Sequence, residues 1–455
     1  MDNPKYIFFL GIGGIGMSAL ARYFNNANFI VAGYDKTPSP LTHTLADEGI
    51  EISFFDDVVG IPKIIIENKG ESLVVYTPAI PSDNKIFNFF SEQGFVLKKR
   101  AEVLGMITAQ TVNLSVAGTH GKTTTSCIVA TILQHSTLHF SAFLGGISTN
   151  LASNYYYQSA SSAHISVTEA DEFDRSFLQL KPKFAVITST DADHLDIYGK
   201  REELEQSYQE FASLVPDKKD VFVAYASKDL INGVTYSASN TNADYYAIVK
   251  SRSGKGTHFS IHNNLGETPI EDVYLNIPGL HNLENALGAA LMTRQAGVAI
   301  ESIVAGLANF KGIKRRFEYI LRTDKVIYID DYAHHPSELR AIISSVRELY
   351  PNKKITAVFQ PHLYSRTQDF MAEFAYELSQ VDELLLLPIY PARELPIEGV
   401  TSEAVMELIR LSNAQCVAKE DVITVLKNRH VDVLLTLGAG DIDRLILPLK
   451  EFYVS

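Results

Sequence analysis

Ten apolar runs rich in β-branched and aromatic residues recur along the chain, at residues 6–10, 29–34, 73–76, 114–117, 165–168, 185–188, 326–329, 355–359, 384–387 and 433–437. Stretches of helical periodicity separate nearly all of them. A strand that returns through a helix crossover lies parallel to the strand before it, so the alternation predicts an α/β protein of mostly parallel sheets with helices on their faces. With 455 residues and roughly 100–200 residues per domain, a single sheet cannot hold the chain. The rhythm breaks twice, near residues 105–111 and near residues 311–316. Three domains are expected, at 1–108, 109–312 and 313–455. Between residues 221 and 278 the pattern is strand-like with polar interruptions, so the middle domain is expected to carry a small extra sheet.

Composition narrows the function. Lys plus Arg number 40 against 53 Asp plus Glu, a formal net charge of -13, and such a molecule repels polyanions, so nucleic acid is not an expected partner. The two cysteines, Cys127 and Cys416, fit neither a disulfide framework nor a zinc site. That suits a reducing, cytoplasmic setting. Glycines interrupt the apolar N-terminus, and no run reaches the ~18 residues of a membrane span, so no membrane partner is expected.

Two glycine loops carry the chemistry. Gly11, Gly13, Gly14 and Gly16 follow the first strand and open a helix, where backbone amides can approach phosphate. Asp35 follows the second strand, as the ribose-binding acid of a dinucleotide site does. Taken alone, this loop suits NAD(P), the pyrophosphate of a UDP-sugar, or a tight turn with no ligand. The second loop, Gly118-Thr119-His120-Gly121-Lys122-Thr123-Thr124, also joins a strand to a helix. Lys122 can hold β- and γ-phosphate oxygens while Thr123 reaches Mg²⁺, as phosphoryl transfer requires. It departs from the usual phosphate loop, because Val116 stands where the first glycine belongs. Glu169 and, after the next strand, Asp191, Asp193 and His194 end strands at the sheet edge where α/β proteins bind ligands. Glu169 and His194 are therefore candidates to meet over one phosphate site.

Ten ordered blocks, GIGGIGMSALA, GTHGKTTT, EADEFDRSFL, DADHLDIYG, GLHNLENALGA, KRRFE, DDYAHHPSE, FQPHLYSRT, IYPARELPIEGV and LGAGDI, resemble the Mur ligases of peptidoglycan synthesis over nearly the whole chain. The resemblance is to the branch that adds L-alanine to UDP-N-acetylmuramate. It implies a Rossmann-like first domain for the sugar nucleotide, a central P-loop ATPase-like domain, and a C-terminal Rossmann-like domain contacting ATP and the amino acid. The first loop is then a UDP-sugar site rather than an NAD site. The activity implied is an ATP-dependent amide ligation with Mg²⁺, through an acyl phosphate, by a cytoplasmic monomer or weak homodimer.

Residue by residue, the resemblance assigns Lys122, Glu169, His194 and Arg316 to catalysis, and Thr123, Glu169 and His194 to the metal. ATP falls to the second loop with Asn285, Arg316 and Asp331; Asn282 is the other member of the asparagine pair. Tyr332, His334 and Arg366 line the amino-acid pocket. Residues 202–214 contain no lysine, so the carbamylated lysine of some relatives is not expected. Phe173 stands where the family has Ser. Leu363 stands where a basic residue commonly follows His362, which leaves Arg366 as the main cation for the amino-acid carboxylate. His335, before Pro336, is as well suited to a structural role as to a functional one. Three rival readings are a ligase attaching a murein tripeptide to the same sugar nucleotide, an NAD-dependent oxidoreductase, and a non-catalytic nucleotide-binding regulator.

Overall fold

The computed structural model describes residues 4–158, 164–191, 198–392 and 394–454. Its strands form three sheets. The first contains β1 (Tyr6–Leu10), β2 (Ile30–Tyr34), β3 (Glu51–Ser53), β4 (Ser72–Tyr76) and β5 (Val96–Lys99), in the order β3-β2-β1-β4-β5. All its pairings are parallel. The inner strands are apolar on both faces, as helices on both sides require. Strand order reverses beside β1, so the glycine loop after β1 opens at the crevice where such sheets bind ligands.

The second sheet contains β6 (Val112–Ala117), β7 (Phe140–Ser148), β8 (Ser153–Tyr157), β9 (Ile165–Glu169), β10 (Phe184–Ile187), β11 (Val221–Ala224), β12 (Val234–Ser237), β13 (Tyr245–Ser253), β14 (Gly256–Asn263) and β15 (Ile270–Leu275). Their order is β15-β14-β13-β12-β11-β10-β6-β9-β7-β8. The expected separate small sheet is corrected here. Strand β11 pairs parallel with β10, Ala185 opposite Val221, and β12 to β15 extend the main sheet from that edge. The third sheet contains β16 (Glu318–Arg322), β17 (Ile327–Asp331), β18 (Ile355–Phe359), β19 (Glu383–Leu386), β20 (Ala414–Cys416) and β21 (Val433–Leu437), in the order β16-β17-β21-β18-β19-β20. Only β16 runs antiparallel to its neighbour there.

The chain divides into two compact units, one of residues 1–250, 258–276 and 283–310 and one of residues 251–257, 277–282 and 311–455. Within the first, the first two sheets share one core, in which Ile7, Phe9 and Leu20 belong to the same buried cluster as Phe143, Tyr155 and Tyr208. The join is made by the helix Ile15–Asn26. Its Tyr23 meets Phe143 at 5.6 Å and Tyr155 at 6.4 Å between ring centroids. Its buried Arg22 binds Glu48 at 2.8 Å and also donates to Asn154 of β8. In the second unit, helices cover both faces of the third sheet, over Ile329, Phe359 and Leu435 on one side and Val358, Leu385 and Leu434 on the other. Cys127 is core and Cys416 is exposed, both as free thiols. Among the described residues, no helix is long and apolar enough to cross a membrane.

Candidate active site

The second glycine loop leaves the end of β6, between β10 and β9, and enters the helix Lys122–Gln134. Two glycines are required by geometry. Gly118 has φ +128° and Gly121 φ +85°, and a Cβ at either would collide with Thr188 or Asn285 respectively. Neighbouring strand ends hold the loop's shape. Thr119 donates to the Asp191 carbonyl at 2.6 Å and lies 3.2 Å from the Tyr208 hydroxyl, while the His120 amide donates to Ser189 at 2.9 Å. Asn285, on the helix Leu280–Gln295, lies against Gly121.

Lys122 folds back over this loop. Its ammonium donates to the carbonyls of Gly118 at 2.7 Å and Thr119 at 3.2 Å, and to Glu172 at 2.9 Å. Burial alone would lower its pKa, but Glu172, Asp171 and Glu169 outweigh that and hold it above the ordinary lysine value. Thr123 and Thr124 stand in the helix's first turn, Thr123 buried. Glu169 ends β9 beside Val116, and its carboxylate accepts the Gly145 amide at 3.0 Å. Asp193 and His194 lie outside the described residues.

These residues fit a bound nucleotide triphosphate. Both glycines let the loop pass close against Thr188 and Asn285, no side chain caps the helix N-terminus, and the loop lysine sits among carboxylates able to share a cation. Among the described residues, no group of three or more His, Cys, Asp or Glu assembles into a metal site. Thr123 and Glu169 are the described members of the expected metal set.

At the first loop, Gly11 has φ +84°, and its amide and that of Ile12 bond to Tyr34. Gly14 caps the helix Ile15–Asn26 without a side-chain partner. Asp35 is engaged within the loop itself, accepting the Gly13 amide at 2.8 Å and the Thr37 amide at 3.1 Å. Sequence reasoning missed Arg100, whose guanidinium lies 2.8 Å from where a Gly16 Cβ would be. The same side chain reaches Asp171 at 3.5 Å.

In the second unit, β17 ends at Asp331. This carboxylate accepts the amides of Phe317 at 2.7 Å and Ala333 at 2.8 Å. Burial pushes it up to about 6, against the pull of Arg316. Both Arg315 and Arg316 place their guanidinium carbons 5.2 Å from the Tyr332 ring centre. Arg315 also binds Asp330 at 3.2 Å and the Gly438 carbonyl at 2.7 Å. The His334 ring is edge-on to Tyr332 at 5.2 Å and to His362 at 6.1 Å, and Arg366 approaches His362 to 3.5 Å. Burial lowers His334 to about 4, so it is neutral near pH 7. Arg316, Asp331, Tyr332, His334 and Arg366 thus gather at one end of the third sheet. Glu338, also missed, stands among them, with Arg316 at 3.3 Å and the His334 amide at 2.9 Å. A signal for it was present, since Pro336 followed two residues later by an acid reads as a helix start. His335 caps that helix through its ring, with the Ser337 amide at 3.3 Å, and packs on Phe370 at 4.7 Å. Leu363 stands at φ +71°; nothing in the structure explains a leucine there.

Three α/β sheets, a glycine loop with its lysine, and a cluster of Arg316, Tyr332, His334 and Arg366 at the end of the last sheet suit the class of ATP-dependent ligases. The chain belongs to the Mur ligase family, matching the Mur ligase family catalytic domain over residues 6–111, the middle domain over 116–293 and the glutamate ligase domain over 315–440. The UDP-N-acetylmuramate–L-alanine ligase of Christiangramia forsetii is 46% identical, covering 99% of this chain and 98% of its own. That of Porphyromonas gingivalis W83 is 48% identical, covering 98% and 99%. The crystal structure of the UDP-N-acetylmuramate-alanine ligase of Thermotoga maritima superposes with a TM-score of 0.82 at 25% identity, covering 99% of both chains. A murein peptide ligase from Psychrobacter arcticus shares the fold, with a TM-score of 0.73 at 22% identity.

Proposed function

We propose that this chain joins L-alanine to the lactyl carboxylate of UDP-N-acetylmuramate with hydrolysis of ATP to ADP and phosphate. The carrying observation is 46% and 48% identity, from end to end, with proteins bearing that activity in their names. A carboxylate is a poor electrophile, so the lactyl oxygen first takes the γ-phosphoryl group of ATP. The alanine amine then attacks the acyl carbon, the C–N bond forms, and phosphate leaves with the C–O electron pair. Protein side chains need form no covalent bond. Lys122 and the amides of its loop hold the phosphates, and Arg316 is assigned to the same phosphoryl group on the resemblance alone.

Mg²⁺, when bound, neutralises phosphate charge and aligns the transferring group. Thr123 and Glu169 are the residues that would hold it, with His194 assigned to the same role by resemblance. Asn285 and Asp331 take the nucleoside, and Tyr332, His334 and Arg366 the amino acid. Gly11, Gly13, Gly14, Gly16 and Asp35 take the sugar nucleotide, the Asp35 side chain holding the loop's shape from within. The two free thiols support a cytoplasmic setting.

The test is to incubate the protein with ATP, Mg²⁺ and UDP-N-acetylmuramate together with alanine, glycine, serine or a murein tripeptide, and to measure phosphate and product mass. Alanine addition is expected, with no binding of NAD(H) in a parallel titration. Product only with the tripeptide would replace this reading with the peptide-ligase one.

A further inference from the structure

We infer that Glu338 is a positioning residue that couples the phosphoryl-transfer arginine to the amino-acid pocket, with one carboxylate oxygen on each. The inference rests on the roles proposed above for Arg316 and His334. Oε1 accepts from Arg316 Nη1 at 3.3 Å, and Oε2 accepts the His334 amide at 2.9 Å and lies 3.2 Å from His334 Nδ1. The carboxylate is mostly shielded, its side chain 14% exposed against 31% for Arg316, so salt screens these contacts less than those of a fully exposed pair. Tyr332 bridges the same two residues a second way, lying under the Arg316 guanidinium and edge-on to the His334 ring. His334 Nδ1 is also 2.9 Å from the Tyr332 carbonyl. Its ring orientation is therefore set by two acceptors, one of which is shared with Arg316.

The plainer account is that Glu338 only caps a helix. It stands in the first turn of the helix Pro336–Leu349, where an acid favours the helix dipole and can reach back to the capping residue's amide. Two contacts go beyond that role. The capping residue is His335, and Glu338 also accepts the amide of His334, one residue before it. It also reaches Arg316, on a separate segment, which a cap does not require. When a phosphoryl group engages Arg316, that guanidinium is shared between two anions, and the carboxylate charge available to His334 and its pocket increases. Occupancy of the phosphate site thereby alters the field and the side-chain placement that the amino acid meets.

Glu338→Gln keeps the volume but turns one acceptor oxygen into a donor, so it can serve only one of the two partners. Expected is a fall in kcat/KM for L-alanine of about tenfold or more. The KM for UDP-N-acetylmuramate should stay within about twofold, and Glu338→Asp should restore part of the loss. The decisive reading is a double-mutant cycle on kcat/KM for L-alanine, with Arg316→Lys and His334→Asn singly and together. With Glu338 present the combined effect should depart from the product of the single effects by at least about threefold, and in the Glu338→Gln background that factor should fall by at least about half, the remainder passing through Tyr332. A multiplicative cycle in the parent chain, or a factor unchanged by Glu338→Gln, leaves Glu338 a helix cap and overturns the inference. If Glu338→Gln does not fold, the cycle in the parent chain decides alone. A parent protein that forms no alanine product fails the functional reading instead, whatever Glu338 does.

Discussion

Replacing Lys122 by Ala should damage the protein twice, in stability and in chemistry, and the two effects can be separated. Its ammonium is paired with Glu172 at 2.9 Å, and the Glu172 side chain is only 1% exposed. Truncating the lysine removes the counter-charge of a carboxylate that cannot turn to water. Breaking a buried pair from one side costs about 3–5 kcal/mol, against a total domain stability of about 5–15 kcal/mol. A fall in melting temperature on the order of 5–10 °C is expected for the single variant. Adding Glu172→Gln removes the stranded charge and should return most of that loss. Turnover should not return, because the phosphate-holding cation is still missing, and a loss of at least about 10²–10³-fold is expected in both variants. Thermal melts followed by circular dichroism, with product formation measured below the lower melting point, check both halves. Wild-type melting of Lys122→Ala would refute the claim that the pair carries stability. Recovery of ligation in the double variant would refute Lys122 as a phosphate ligand.

Two further perturbations test the second unit. Arg366→Ala should raise the KM for L-alanine at least roughly tenfold, the loss of one charge-assisted contact, with the KM values for ATP and UDP-N-acetylmuramate changing much less; equal rises in all three would make Arg366 an organiser of the pocket around His362 rather than a carboxylate ligand. Asp331 gives a pH signature, because burial lifts its carboxyl from 3.8 to about 6. The folded chain therefore holds a proton there that the unfolded chain releases, so this group's contribution is full below about 3.8 and is lost as pH rises through about 6, a change worth about 3 kcal/mol. Denaturant melts of wild type and Asp331→Asn from pH 4 to 7 should show the stability difference shifting against wild type across that window, and parallel curves would contradict it.

What was legible in the sequence was whatever sits on one element or at its end. The runs 6–10 and 114–117 declared themselves as strands, and the glycines after them declared loops, because a short continuous run of strand-forming residues followed by Gly at a turn is a local pattern. Sheet order was not local. The polar-interrupted strands after residue 221 read as a separate sheet, yet β11 found an open edge on β10 and β12 to β15 followed it. A shared core between the first two sheets was likewise invisible, since Tyr23 carries no mark saying that it will pack on Phe143 and Tyr155.

Charges follow the same rule, with a consequence for the site. Lys122, Arg316 and Asp331 could be singled out from the blocks around them. Which acid pairs with which cation could not, although both acids stand in such blocks themselves, because Glu172 lies fifty positions from Lys122 and Glu338 lies twenty-two from Arg316. Lys122 and Arg316, the two cations proposed to hold phosphate, are each hydrogen-bonded to a carboxylate in this structure. On that proposal a phosphate group competes with the carboxylate for each cation, so part of the binding energy goes into moving the cation off its resting partner. Weakening either partner without stranding it should therefore tighten nucleotide binding while loosening the geometry that phosphoryl transfer needs. That opposition, a lower Kd for ATP together with a lower kcat in Glu172→Gln, is the mark of a resting partner; a parallel loss of both would make Glu172 part of the nucleotide site itself.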